Sequence, residues 1–222
     1  MPRYSREDWK TYKNVFDSFA EQNLMKLQGQ GHFDELLQPI TLGKEANVFT
    51  ASKGEDRVIV KIYRTMNANF NKMHEYLTHD QRYQHVKRQK RKIIFAWVQR
   101  EYANLFLARE VITVPTPYTF KDNIIIMEFI GDDDPAPMLK DKKPKDPQAF
   151  YDSCRESLDK LREAGLVHGD ISAFNILNFN DKPVFIDFSQ STTTESPRAQ
   201  ELFERDILNL NTFFLKFGVK VR

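Results

Sequence analysis

The run Val167-His168-Gly169-Asp170-Ile171-Ser172-Ala173-Phe174-Asn175-Ile176-Leu177 constrains this chain more than any other feature. It sets an asparagine five positions after an aspartate, at the end of a helix and before a strand. The turn Asn178-Phe179-Asn180-Asp181-Lys182-Pro183 then leads into Val184-Phe185-Ile186-Asp187-Phe188, where apolar residues on the strand push Asp187 to its end. Phosphoryl transfer needs a carboxylate near the attacking hydroxyl and oxygen ligands for Mg²⁺. A loop of this length can place Asp170 and Asn175 at one wall of a site, and Asp187 is positioned to chelate metal. Each acid alone reads just as well as a turn or capping residue. In this order and spacing, the three leave that reading little room.

Lys61 adds a second element. It lies within Val58-Ile59-Val60-Lys61-Ile62, a β-branched strand in which an unpaired ammonium facing the core would be costly. Nucleotide phosphates and a helix glutamate would supply the anions it needs. Glu101, in Arg100-Glu101-Tyr102-Ala103-Asn104-Leu105, is the expected partner, and Glu110, nearer the helix end, is the alternative. The competing reading makes Lys61 an edge-strand residue kept for solubility. Upstream, Thr41-Leu42-Gly43-Lys44-Glu45-Ala46-Asn47-Val48-Phe49 connects two strands where a phosphate-covering loop would lie. Only Gly43 of the usual Gly-x-Gly-x-x-Gly is present, so contact with phosphate falls to backbone amides and Lys44.

The remaining pattern predicts an α+β chain. Apolar residues at three- and four-residue spacing predict a helix over 7–27, closed by Gly29 and Gly31. Strands follow at Pro39–Leu42 and Asn47–Ala51, and the turn Lys53-Gly54-Glu55-Asp56 leads into a hairpin partner at Arg57–Tyr63. Residues 65–92 are polar and weakly periodic and read as a loop or partly ordered insert. A helix over Ile93–Glu110 precedes strands at Tyr118–Phe120 and Asn123–Phe129, and the Pro- and charge-rich stretch 131–147 reads as a connector. Helices over Gln148–Ala164 and Arg198–Phe217 complete the chain, with Cys154 on the apolar face of the first as a core residue rather than a nucleophile. The resulting division is an N-terminal helical extension over 1–35, a sheet-rich lobe over 36–130 with its insert, and a helical lobe over 131–222.

Bulk properties narrow the setting. With 222 residues, 41% hydrophobic and 29% charged, the chain suits a two-lobed enzyme sharing one cleft. Its 18 Phe and 8 Tyr exclude a disordered chain. A net charge of +2 does not argue for nucleic acid, so any basic surface must come from local clusters such as Lys87, Arg88, Lys90, Arg91 and Lys92. One cysteine excludes an intramolecular disulfide framework and fits a reducing cytosol. No apolar run approaches the roughly 20 residues of a membrane span, so the expectation is a cytoplasmic protein.

These residues resemble the RIO family of atypical protein kinases, in its type-one branch. The resemblance rests on Gly43-Lys44-Glu45-Ala46-Asn47-Val48-Phe49, Lys61-Ile62-Tyr63-Arg64, Met127-Glu128-Phe129-Ile130-Gly131, His168-Gly169-Asp170 through Asn175, and Ile186-Asp187. Phe70–Leu77 resembles the family's flexible loop. The likeness runs from about Ile40 to Phe217. His-Gly-Asp is shared with antibiotic and choline kinases, whereas the Gly-Lys-Glu-Ala-Asn-Val-Phe loop is far more specific. The resemblance implies a two-lobed protein-kinase-like fold with an antiparallel sheet, one main helix and a reduced helical lobe lacking an activation loop and peptide-binding helices. It implies ATP with Mg²⁺, or Mn²⁺ in its place. Lys61 would bind the α/β-phosphates and Glu101 orient it. Met127 would back the adenine, and backbone groups of Glu128 and Ile130 would bond it. Asp170 would be the catalytic base, Asn175 and Asp187 the metal ligands, and Asp206 the brace of the catalytic loop. Asp187 also matches the position that accepts phosphate in this family.

The departures carry information too. Gly169 replaces the arginine that answers a phosphorylated activation loop in ordinary kinases, and Ser189 replaces the glycine after Asp-Phe. No Ala-Pro-Glu occurs among the residues after Asp187, so the expected substrate platform is reduced. Thr41-Leu42 stands where the branch often has Ser-Thr. Three functions follow: a serine/threonine protein kinase, an ATPase switch working through an aspartyl-phosphate at Asp187, and a small-molecule phosphotransferase. The family implies small ribosomal subunit maturation as the setting, with the pre-ribosomal particle and its RNA as partners; the run Lys87–Lys92 reads first as a solvated face, and with RNA as partner it would contact phosphate. Thr65 and Thr78 are the candidate autophosphorylation sites of the insert. His74, His79 and His85 share the insert without an acid or cysteine at regular spacing to complete a metal set.

Overall fold

The computed structural model describes residues 16–66 and 68–222. They form two compact units, one built from residues up to Leu77, His85–Tyr102 and Pro117–Phe129, the other from Thr78–Gln84, Ala103–Thr116 and Ile130–Arg222.

The first unit is an antiparallel five-stranded sheet in the order β1-β2-β3-β5-β4. Its strands are β1 (Glu35–Leu42), β2 (Ala46–Lys53), β3 (Asp56–Tyr63), β4 (Pro117–Lys121) and β5 (Ile124–Glu128). Helix α1 (Ser18–Gly29) starts at Asp17, whose carboxylate accepts from the Ala20 N–H at 2.7 Å. The part of the predicted helix over 7–15 lies outside the described residues. Phe16, Leu24 and Leu27 share a core with Phe49, Val58, Val60, Ile62, Ile124 and Ile126. Full burial of each such side chain contributes about 2 kcal/mol. The two-residue period of β3 therefore puts Val58, Val60 and Ile62 on the α1 side and turns Lys61 and Tyr63 to the other.

Helix α3 spans Lys90–Ala108, starting three residues before its predicted position. Ile94, Trp97, Val98, Leu105 and Ala108 are buried, but so are Arg100, Glu101 and Asn104. Those three polar residues signal work other than packing.

The stretch expected as a loop contains a helix, α2 (Phe70–Thr78), with Met73, Tyr76 and Leu77 buried. Their i, i+3, i+4 spacing is a one-turn apolar stripe, short enough to be hidden by the polar residues around it.

In the second unit, α4 (Pro147–Glu163) is capped by Asp146, which accepts from Ala149 N–H at 3.0 Å, and closes through Gly165 at φ 85°. Cys154 is fully buried on its inner face, and burial pushes its thiol well above the usual range, as a core residue requires. Strands β7 (Ile176–Phe179) and β8 (Lys182–Phe185) form a hairpin whose turn residues Asn180 and Asp181 both have positive φ. A short pair joins β6 (Leu166–Val167) to β9 (Thr192–Thr193), and α5 (Ala199–Leu215) follows.

Candidate active site

In the first unit, Lys61 and Tyr63 converge on Glu101. Lys61 Nζ lies 2.7 Å from Glu101 Oε1, and the Tyr63 hydroxyl donates to Glu101 Oε2 at 2.6 Å. Glu101 is 1% exposed and Lys61 8%. A buried ion pair of this kind is expensive to desolvate, and removing one partner strands a charge, so its presence calls for a function. The alternative partner, Glu110, is paired with its neighbour Arg109 at the surface. Sequence reasoning did not single out Tyr63, although its place two residues after Lys61 on a strand puts both on one face.

The loop before β2 is tight. Gly43 N–H donates to Ala46 O at 3.0 Å, and a Cβ on Gly43 would stand 2.7 Å from that same oxygen, so only glycine fits. Arg64 closes the loop from β3, through its N–H to Glu45 O at 2.9 Å and its guanidinium to Gly43 O at 3.3 Å. Lys44 is exposed, Met127 is buried opposite Ile59, and Glu128 ends β5 opposite Val58. Ile130 belongs to the second unit, where its carbonyl accepts from Ala136 N–H at 2.9 Å, a competitor for any ligand at that oxygen.

In the second unit, α5 presents the buried Asp206 to the loop Gly169–Ile171. Its oxygens accept from Gly169 N–H at 2.7 Å and from Ile171 N–H at 2.9 Å, the two amides flanking Asp170. Burial raises the Asp206 carboxyl, against the opposing pull of His168, the two amides and Arg205. Arg205 donates to Gly169 O, and Asn209 donates to Ile171 O at 3.0 Å. The backbone on both sides of Asp170 is thus held by one helix. Gly169 adopts φ 77°, and a Cβ there would come within 3.0 Å of Gln190 O. The glycine where ordinary kinases carry arginine has a local steric reason.

Asn175 closes the loop onto Asp170. Its amide nitrogen donates to Asp170 O at 2.8 Å and to Asp170 Oδ2 at 3.1 Å. With the nitrogen end committed, the oxygen end is the one turned to other partners, as a cation ligand requires. Asp187 stands at φ 63°, ψ 71°, a left-handed conformation uncommon for aspartate and frequent at functional turns. Its Oδ1 accepts from the Ser189 hydroxyl at 2.7 Å. In the neutral ring, His168 Nδ1 accepts from Asp170 N–H at 3.3 Å and the Nε2 proton is donated to Ile186 O at 3.1 Å. The imidazole thereby ties the residue before Asp187 to Asp170. Among the described residues no group of three His, Cys, Asp or Glu could hold a metal ion by itself. Asn175 and Asp187 fit Mg²⁺ as oxygen ligands that leave positions for phosphate, a common Mg²⁺ arrangement.

Lys87, Arg88, Lys90, Arg91 and Lys92 are all exposed. Thr65 donates to Asp17, and Thr78 is exposed. No described helix is long and apolar enough to cross a membrane.

Comparison with known proteins gives these positions a family context. A model of the RIO domain matches residues 47–222. RIO-type serine/threonine-protein kinase Rio1 of Methanocaldococcus jannaschii is 42% identical over 94% of this chain and 72% of that protein. The protein of the same name in Haloferax volcanii is 38% identical over 96% of this chain and 74% of that protein. The Rio2 kinase–ADP/Mg²⁺-phosphoaspartate complex from Chaetomium thermophilum superposes with a TM-score of 0.68 at 22% identity, over 90% of this chain. That likeness shows the fold, and this chain spans 60% of that structure's length.

Proposed function

This chain belongs to the RIO family of atypical serine/threonine protein kinases, and we propose that it transfers the γ-phosphoryl group of ATP to a serine or threonine hydroxyl of a protein. The observation that carries this reading is the Asp170–Asn175 junction, where an acid held by its flanking amides stands beside an amide whose oxygen faces away from it. Asp170 takes the proton of the attacking hydroxyl as the new O–P bond forms and the bond to the β-phosphate oxygen breaks, releasing ADP. Lys61, held by Glu101, supplies positive charge to the α/β-phosphates. Mg²⁺, when bound by Asn175 and Asp187, neutralises phosphate charge. We assign Gly43 and Lys44 to the phosphate loop and Met127, Glu128 and Ile130 to the adenine. The proposed setting is maturation of the small ribosomal subunit, with Lys87–Lys92 contacting RNA phosphates.

A second reading has Asp187 accept the phosphoryl group and lose it to water, an ATPase switch. The left-handed backbone at Asp187 and the phosphoaspartate in the Chaetomium thermophilum complex favour it. Labelling with γ-labelled ATP and Mg²⁺, before and after hydroxylamine, separates the two. Label that survives hydroxylamine and is lost in Asp170→Ala supports the kinase. Label that hydroxylamine removes and that is lost in Asp187→Ala supports the switch. Neither label nor turnover in the wild type would sink both.

A further inference from the structure

The segment after α2 does more than connect. Asp80, 1% exposed, grips the guanidinium of Arg82 with both oxygens: Arg82 Nε donates to Oδ1 at 2.9 Å and Nη2 to Oδ2 at 2.7 Å. The same Nη2 donates to Asn104 Oδ1 at 2.9 Å. Asn104 is fully buried on α3, and its amide nitrogen donates to two carbonyls, Phe188 O at 3.1 Å and Ser191 O at 3.0 Å. These carbonyls bracket the turn that directly follows Asp187.

The chemistry fixes the direction of this relay. A guanidinium can only donate and backbone carbonyls only accept, so the Asn104 amide has one orientation that satisfies both sides. Arg82 therefore orients Asn104, and Asp80 holds Arg82. Ser189, inside the bracketed turn, donates its hydroxyl to Asp187 Oδ1, so the turn's backbone and the Asp187 carboxylate are linked. On the far side, Ser191 Oγ donates to His168 O at 2.9 Å.

We propose that Asp80, Arg82 and Asn104 are positioning residues that set the Asp187 turn for metal, so that the order of the insert controls the metal affinity of the site. This rests on the assignment of Asp187 as a Mg²⁺ ligand. None of the three is placed against the reacting groups themselves. Their effect travels through the carbonyls of Phe188 and Ser191. Residues that orient metal ligands in this way typically contribute about 10-fold to 100-fold in affinity.

The test uses the full chain and a fluorescent ADP analogue, titrated with Mg²⁺ at fixed nucleotide, in wild type, Arg82→Ala, Asn104→Ala and the double variant. Amide hydrogen exchange over 188–193 is followed in parallel. The expected result is an apparent Mg²⁺ affinity about 10-fold weaker in each single variant, with no further loss in the double variant, because both cut one relay. Metal-free ADP binding stays unchanged and exchange over 188–193 quickens. Arg82→Lys, which keeps one donor but not the fork, falls between. Should Arg82→Ala fail to fold, Asp80→Asn is judged by the same criteria. Unchanged Mg²⁺ affinity and unchanged exchange in folded variants would overturn the inference while leaving the functional reading intact. So would losses that multiply in the double variant. A wild type whose ADP binding ignores Mg²⁺ would instead sink the metal assignment, and the inference with it.

Discussion

Tyr63→Phe isolates one oxygen at the centre of the first unit. The Tyr63 hydroxyl donates to Glu101 Oε2 at 2.6 Å, and Tyr63 and Glu101 are 2% and 1% exposed. A hydrogen bond to a charged acceptor contributes about 1.5–3 kcal/mol, and burial argues against the low end. The substitution keeps the ring, and with it the contact of Lys61 Nζ at 5.1 Å from the ring centroid. We expect a loss of about 2 kcal/mol in the first unit. Because two units need not unfold together, the loss is best read from native-state hydrogen exchange of β3 and α3 amides.

The functional consequence follows from the same bond. Without the Tyr63 hydroxyl, Glu101 keeps Lys61 through Oε1 but loses one of the bonds that orient its carboxylate. Were all of the lost 2 kcal/mol expressed in nucleotide binding, ATP affinity would fall by about 30-fold, which sets the ceiling. The expected rise in KM for ATP is about 3-fold to 10-fold, with a smaller change in kcat. A stability loss below about 0.5 kcal/mol with KM unchanged would refute the view that Glu101 is held from two sides.

Gly169→Ala forces a side chain into φ 77° and to within 3.0 Å of Gln190 O. A loss of about 1–2 kcal/mol from the backbone alone is expected, together with a fall in kcat, measured by denaturant unfolding and steady-state turnover. Leu77→Ala, at a fully buried position of α2, should cost about 2–5 kcal/mol and expose the insert to limited proteolysis; a change under about 0.5 kcal/mol would mean that α2 is not packed. Asp206 gives a pH signature. Its folded carboxyl is raised above 3.8 by burial, so the native state binds a proton more readily than the unfolded chain. Its contribution is greatest below about 3.8 and declines as pH rises through the folded value. Relative to Asp206→Asn, the wild type should therefore gain stability as pH is lowered through that window, and a flat difference would contradict the burial argument.

The chain's chemistry was legible where spacing and composition conflict with packing. Lys61 in a β-branched strand demanded an anion, and the fold puts Glu101 beside it. Asp170 and Asn175, five apart, touch through side chain and backbone. What stayed hidden depends on tertiary contact. Tyr63 is an ordinary strand residue by pattern, and its hydroxyl acquires meaning only against Glu101. The stripe of α2 spans one turn, below what periodicity can resolve among so many polar residues. Asn104 sits amid apolar neighbours of α3 with nothing local to mark it, because both carbonyls it holds come from more than 80 positions away.

The segment after Asp187 is short and bonded within itself and to its neighbours. Residues 188–198 are taken up by a single 3₁₀ turn, the β9 pairing with β6, and the bonds Thr194 N–H to Gly165 O and Ser196 N–H to Thr193 O. Kinases regulated by phosphorylation order this region by pairing an added charge with arginine. Here Gly169 removes the arginine for a steric reason, and the region is already fixed by its own backbone and by Asn104. A phosphate would therefore find neither a loop to order nor a receptor at Gly169. The adjustable contact is Arg82, whose side chain is 30% exposed while Asp80 and Asn104 are buried. A partner that captures that guanidinium would release Asn104 and loosen the Asp187 turn without touching the reacting groups. If Asp187 holds the metal, regulation is expected to enter through Asp80 and Arg82, before α3, rather than through the segment after Asp187.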